Sequence, residues 1–101
     1  MKFNISDSNG RRVFSLLDQM TFADRAALDQ VLPQLMAGGI RELAVDMERL
    51  DYMDSAGLGM LLTLRDQASR ASITVTLVKP QGDVKDLLVL ACFDTLFKIE
   101  Y

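Results

Sequence analysis

The chain predicts an α/β fold: a mixed sheet of four or five strands with helices packed against it. Three observations predict it. Strand-like and helix-like stretches alternate after an initial hairpin, the order of a layered α/β unit with parallel pairing. Residues 72–78, Ser-Ile-Thr-Val-Thr-Leu-Val, are rich in β-branched side chains and read as a strand. Ala27, Leu28, Val31, Leu32 and Leu35 fall instead at helical spacing. At 101 residues, the whole of 1–101 is expected to form one domain. That length supports an independent core but not two lobes around a deep cleft.

The elements follow in order. Lys2 to Ile5 forms a short first strand. Ser6 to Gly10 is a turn, because Asn9-Gly10 supplies the positive φ of a tight hairpin. Arg12 to Leu17 is the return strand, with Arg11-Arg12 as its exposed start. Thr21 or Asp24 caps a helix from about Ala23 to Ala37. Pro33 is awkward inside it, since it removes a hydrogen bond. Gly38-Gly39 ends the helix. Ile40 to Asp46 is a strand with both faces partly covered, and Met47 to Met53 is a connection. A second helix runs from about Ala56 to Ser69, with Gly57, Leu61, Leu64 and Ala68 on one face. After the strand at 72–78, Lys79 to Gly82 turns. Asp83 then caps a short helix to Leu90. Phe93 to Ile99 docks on the core through Phe93, Leu96, Phe97 and Ile99, and part of it forms a final edge strand.

Composition removes several function classes. The net charge of -3 argues against nucleic acid, whose phosphates demand a basic surface. No apolar run approaches the roughly 20 residues of a membrane span. The start Met1-Lys2-Phe3-Asn4-Ile5 lacks a signal-peptide stretch, so a cytoplasmic protein is expected. The single cysteine, Cys92, cannot form an intramolecular disulfide, and its apolar neighbours suggest a buried thiol. There is no histidine. That excludes a Ser-His-Asp triad and a histidine zinc site, and removes the commonest general base near neutral pH.

The most informative stretch is Met53-Asp54-Ser55-Ala56-Gly57-Leu58-Gly59-Met60-Leu61-Leu62. A hydroxyl sits beside an acid where a strand-like run gives way to a helix. A helix N-terminus offers free N–H groups and a partial positive charge. A phosphate on Ser55 would accept from those groups and add about -1.5 to -2 charges. Asp54 would add to that charge. The plainer reading is a cap, since serine and aspartate are the preferred N-caps and contribute about 1 kcal/mol. From spacing alone the cap reading is favoured over the switch. Met60 and Leu62 lie about 100° to either side of Leu61. Met60 is as readily an apolar rim beside Ser55 as a core residue, while Leu62 is expected to be buried. Asp46, Glu48, Asp51 and Asp54 match no calcium loop and read as a solvated acidic segment. Gly57-x-Gly59 lacks the third glycine of a dinucleotide fingerprint, because Leu62 stands there. No cofactor is implied.

The segment Leu50 to Leu62 resembles the signature of the STAS domain family, above all its bacterial anti-sigma-factor antagonists. In them Asp-Ser, a small residue and Gly-Leu-Gly open a helix. The resemblance extends over nearly the whole chain: the element order agrees, Val45-Asp46-Met47 is similar to the family's third strand end, and Phe93 to Phe97 to its closing segment. It implies that Ser55 is the serine phosphorylated by a partner kinase, often the anti-sigma factor itself. It also implies a serine phosphatase that restores the unmodified form. Asp54, Ser55, Ala56, Gly57, Gly59, Met60 and Thr21 are the implied partner-contact residues. Many such antagonists carry Gly-x-Leu/Ile-Asp after the second strand; here Asp18-Gln19-Met20-Thr21 puts Thr21 in place of the acid. Ala56 stands where some relatives have a second hydroxyl, leaving Ser55 the only one in the motif. A free monomer is expected. The runner-up is a STAS-type accessory subunit of a lipid-transport ABC ATPase. A weak nucleotide hydrolase is disfavoured by the absent histidine and phosphate loop.

Overall fold

A computed structural model describes residues 1–101. The chain opens with a hairpin, β1 (Lys2–Ser8) and β2 (Arg11–Met20), joined at Asn9 and Gly10 with φ of 51° and 81°. A 3-10 turn (Phe22–Asp24) leads into α1 (Arg25–Met36). Then follow β3 (Glu42–Asp46), β4 (Leu50–Met53), α2 (Ser55–Arg70), β5 (Thr74–Val78), α3 (Gly82–Leu90), a second 3-10 turn (Phe93–Thr95) and β6 (Lys98–Glu100). The six strands form one mixed sheet in the order β1-β2-β3-β5-β6, with β4 pairing the far end of β2. Only β1 is antiparallel to its neighbour.

The register sorts side chains onto two unlike faces, because successive residues of a strand point oppositely. Phe14 and Leu16 of β2, Leu43 and Val45 of β3, and Val75 and Leu77 of β5 share the apolar face. Helix α1 adds Leu28, Val31, Leu32 and Leu35 to that core; α2 adds Gly57, Met60, Leu61, Leu64 and Ala68. The opposite face mixes Val13, Ala44 and Val78 with polar groups. There Thr76 Oγ1 donates to Glu42 Oε2 at 3.0 Å, and Ser15 Oγ to Asp46 Oδ2 at 3.4 Å. Arg11 makes charge contacts with Glu42 (3.0 Å) and Glu100 (3.6 Å). Both faces of β3 are thus partly covered, as expected: Leu43 and Val45 are buried on the apolar face, and Ala44 is buried between half-buried Glu42 and Asp46 on the other.

Several expectations are corrected. The sheet has six strands, not four or five, because residues 50–53 of the expected connection form β4. Asp18 adopts φ of 65° at a bulge where β2 leaves β3 and takes up β4, so one long strand serves two partners. The expected strand at 72–78 starts only at Thr74, after Ser72 at φ 59°. Gln81, not Asp83, is the N-cap of α3; Asp83 lies within its first turn. Leu96 and Cys92 are exposed, while Phe93 and Phe97 are buried. Cys92 turns left-handed (φ 58°) just after α3, which carries its thiol off the core. Pro33 sits inside α1 without ending it, since it lies on the exposed side where water can reach the carbonyl it leaves unpaired.

Arg12 is not an exposed strand start. Strand alternation puts it on the same face as Phe14, and it is buried at the end of α1. Its Nη1 donates to the carbonyls of Gln34 (2.7 Å), Leu35 (2.9 Å) and Ala37 (2.9 Å). Its Nε and Nη2 make a bidentate pair with Asp7 at 2.7 and 3.0 Å. One cation thereby binds three carbonyls at the helix end, where the intrahelical ladder runs out, and ties the hairpin to α1. The Asp7 hydrogen bond holds the guanidinium pKa above its ordinary value, and the same contact lowers that of Asp7. Gly38 follows at φ 82°, and a Cβ there would sit 3.2 Å from Arg12 Nη2.

Candidate functional site

The N-terminus of α2 is built by Asp54. Its backbone is extended (ψ -179°), and its Oδ1 accepts from the Gly57 N–H at 3.1 Å. This is an aspartate N-cap. Ser55 is therefore the first helical residue, one position earlier than expected, and not the cap. Its hydroxyl is exposed and free of the capping role.

The other carboxylate oxygen reaches a different segment. Asp54 Oδ2 accepts from the Phe22 N–H at 3.2 Å, and the Asp54 N–H donates to the Met20 carbonyl at 3.4 Å. Thr21 lies between those two partners, so the end of β2 and the start of α2 form one surface. Thr21 itself is half-buried, and its N–H donates to Asp24 Oδ2 at 2.8 Å in a capping box around the 3-10 turn. Burial raises the Asp24 pKa, but the Thr21 N–H, the Met1 ammonium at 3.0 Å and the Thr21 hydroxyl outweigh it, and the net shift is downward.

The two glycines of the motif have different surroundings. Gly57 is buried: a Cβ there would fall 2.2 Å from Met53 Cγ, 2.8 Å from Met53 Sδ and 3.1 Å from the Met20 carbonyl. Only glycine lets α2 approach the β2 and β4 ends this closely. Gly59 is exposed, and a Cβ there would meet nothing within 4 Å. Its presence costs the helix about 1 kcal/mol relative to alanine, with no packing return inside the chain.

Ser55, Gly59, Leu62 and Asp66 are all exposed and fall at spacings of four, three and four, forming one outer stripe of α2. Ala56 is half-buried beside it. Met60 is only 2% exposed and joins the core with Gly57, Leu61 and Leu64, so it forms no rim beside Ser55. Leu62, expected inside, is 40% exposed on the outer stripe, two turns along from Ser55. The acids of 46–54 disperse: Asp46 accepts from Ser15 and from the Glu48 N–H, Glu48 faces Lys79 at 3.7 Å, and Asp54 caps the helix.

Phe22 escapes notice in the sequence. It is 69% exposed, yet its backbone is bound to the same carboxylate that caps α2. No signal in the sequence marks it, because Phe22 precedes α1 and belongs to the 3-10 turn, where helical spacing does not apply.

The family model described as "STAS domain" matches residues 2–101. A STAS-domain containing protein of Pseudomonas aeruginosa is 39% identical over 59 residues, which are 58% of this chain and 58% of that protein. The chain thus spans under two thirds of that relative. BtrV of Bordetella bronchiseptica, provisionally named an anti-sigma factor antagonist, is 24% identical over 99 residues, 98% of this chain and 85% of that one. Among solved structures, a protein of Thermotoga maritima with the same provisional name superposes with a TM-score of 0.87 at 17% identity, covering 98% of this chain and 86% of that one. The phosphorylated form of SpoIIAA, a Bacillus cell fate determinant, gives 0.66 at 17% identity over 99% and 92% of the two chains. The sheet order, the three helices and the match over residues 2–101 agree: this chain belongs to the STAS domain family.

Proposed function

We propose that the chain is an anti-sigma-factor antagonist acting as a phosphorylation-controlled partner switch, without catalysis of its own. One observation carries this reading. Ser55 is exposed at the first turn of α2 while Asp54 makes the cap, so its hydroxyl can be modified without cost to the helix end. The names of the relatives support the same reading. Unmodified, the surface of Ser55, Gly59, Asp54 and Thr21 binds an anti-sigma factor that is also a serine kinase, which frees a sigma factor. Phosphate on Ser55 draws on the free N–H groups of the helix start and adds about -1.5 to -2 charges to a contact face. The partner is repelled, and a serine phosphatase resets the switch. The exposed Gly59 fits this role, because a missing side chain next to Ser55 leaves room for close approach.

The test is a pull-down with wild type, Ser55→Ala and Ser55→Asp as baits and partners identified by mass spectrometry. A kinase-like anti-sigma partner held by the first two and lost by the third is expected. Equal capture by all three would contradict the switch. An ABC ATPase as the main stoichiometric partner would replace this reading with that of an accessory subunit.

A further inference from the structure

We infer that Phe22 is the apolar anchor of the partner contact, held beside Ser55 by the Asp54 carboxylate; this rests on the partner-switch reading. A single exposed aromatic is ordinary on a protein surface. Phe22 differs because its backbone is pinned while its ring is free. Its N–H is bound by Asp54 Oδ2 at 3.2 Å. The turn it belongs to is closed by the Asp24 N–H on the Thr21 carbonyl (2.9 Å) and by the Thr21 N–H on Asp24 Oδ2 (2.8 Å). The ring is 69% exposed nonetheless. A large side chain on a rigid turn loses little freedom on binding, which is what an interface anchor requires.

The surface is continuous with the Ser55 face, because one carboxylate touches both: Oδ1 takes the Gly57 N–H and Oδ2 the Phe22 N–H. The occupant it fits is a protein surface with an apolar socket, carried by the partner that recognises unmodified Ser55, because the Phe22 turn and the Ser55 helix start share the Asp54 carboxylate. Asp54 is a positioning residue here. A phosphate on Ser55 adds negative charge beside the carboxylate that holds Phe22, so modification acts on the anchor's support as well as on the contact face.

The probe is the purified anti-sigma kinase that phosphorylates Ser55. Phe22→Ala should weaken its binding by about thirtyfold, the cost of a hot-spot aromatic, with no fall in melting temperature because the ring is exposed. The chain has no tryptophan, so Phe22→Trp gives a single reporter whose emission should shift to the blue in the complex. Binding by Phe22→Ala within twofold of wild type, together with unmoved Trp emission, would overturn the anchor. If that occurs while Ser55→Asp still loses the partner, the switch stands and the anchor alone fails. If Ser55→Asp binds normally while Phe22→Ala does not, the anchor stands and the switch fails.

Discussion

Gly57→Ala and Gly59→Ala, two positions apart on α2, should change stability in opposite directions. At Gly57 the added Cβ lands 2.2 Å from Met53 Cγ and 3.1 Å from the Met20 carbonyl, well inside the roughly 3.5–4.0 Å of carbon contact. Met53 is itself only 5% exposed, so its thioether has little room to retreat, and the carbonyl belongs to the backbone. Overpacking of this kind costs about 1–3 kcal/mol, and alanine's better helix propensity returns about 1 kcal/mol. The net is a loss of about 1 kcal/mol. At Gly59 nothing lies within 4 Å, so the propensity gain of about 1 kcal/mol stands alone. The propensity contribution is common to both variants, so the separation of about 2 kcal/mol isolates the packing. For a chain of this size it corresponds to about 8–16 °C between the two melting temperatures. Urea titration and thermal melts followed by circular dichroism read it directly. A Gly57→Ala protein as stable as Gly59→Ala would refute the close approach of α2 to the strand ends. Gly59→Ala carries a second expectation: more stable than wild type, yet weaker in partner binding.

Other outcomes follow from the same geometry. Arg12→Ala leaves the Leu35 carbonyl without a partner in the interior and unties Asp7, so a loss of about 3 kcal/mol is expected in urea titration. Acid should destabilise the fold with a definite sign. The pKa values of Asp24 and Asp7 are depressed in the folded chain, so their contribution is complete above the unfolded value near pH 4 and is lost as pH falls through the folded values. Asp24→Asn should therefore be less stable at pH 7 and show a shallower loss of stability as pH falls below about 4. Cys92 should react fully with a thiol reagent in the folded protein, at a rate close to that in denaturant, because it is exposed.

Much of the architecture was legible because local chemistry and tertiary structure agree there. Asn9-Gly10 could hardly be anything but a tight hairpin, and the buried face of α2 at Gly57, Leu61, Leu64 and Ala68 follows from spacing. The errors have physical reasons. Strand β4 is four residues long with Asp51 and Tyr52 exposed in its middle, so it shows no alternation. Met60 belongs inside because it stands three after Gly57 and four before Leu64, within the buried stripe; Leu62 aligns with Ser55 and Asp66 outside it. The charge of Arg12 points to the surface, although its place in the alternation points inward. At the site, the Ser55 position was legible from the motif, but the division of labour was not. That Asp54 caps the helix and also binds the Phe22 turn depends on a contact between residues 32 apart in sequence.

The face around Ser55 should bind its partner only while unmodified. The most direct measurement is isothermal titration of the purified anti-sigma kinase with the chain in unphosphorylated and stoichiometrically Ser55-phosphorylated forms. Tight binding of the first and at least about hundredfold weaker binding of the second are expected, in keeping with like-charge costs of several kcal/mol at an interface. Equal dissociation constants for the two forms would contradict it.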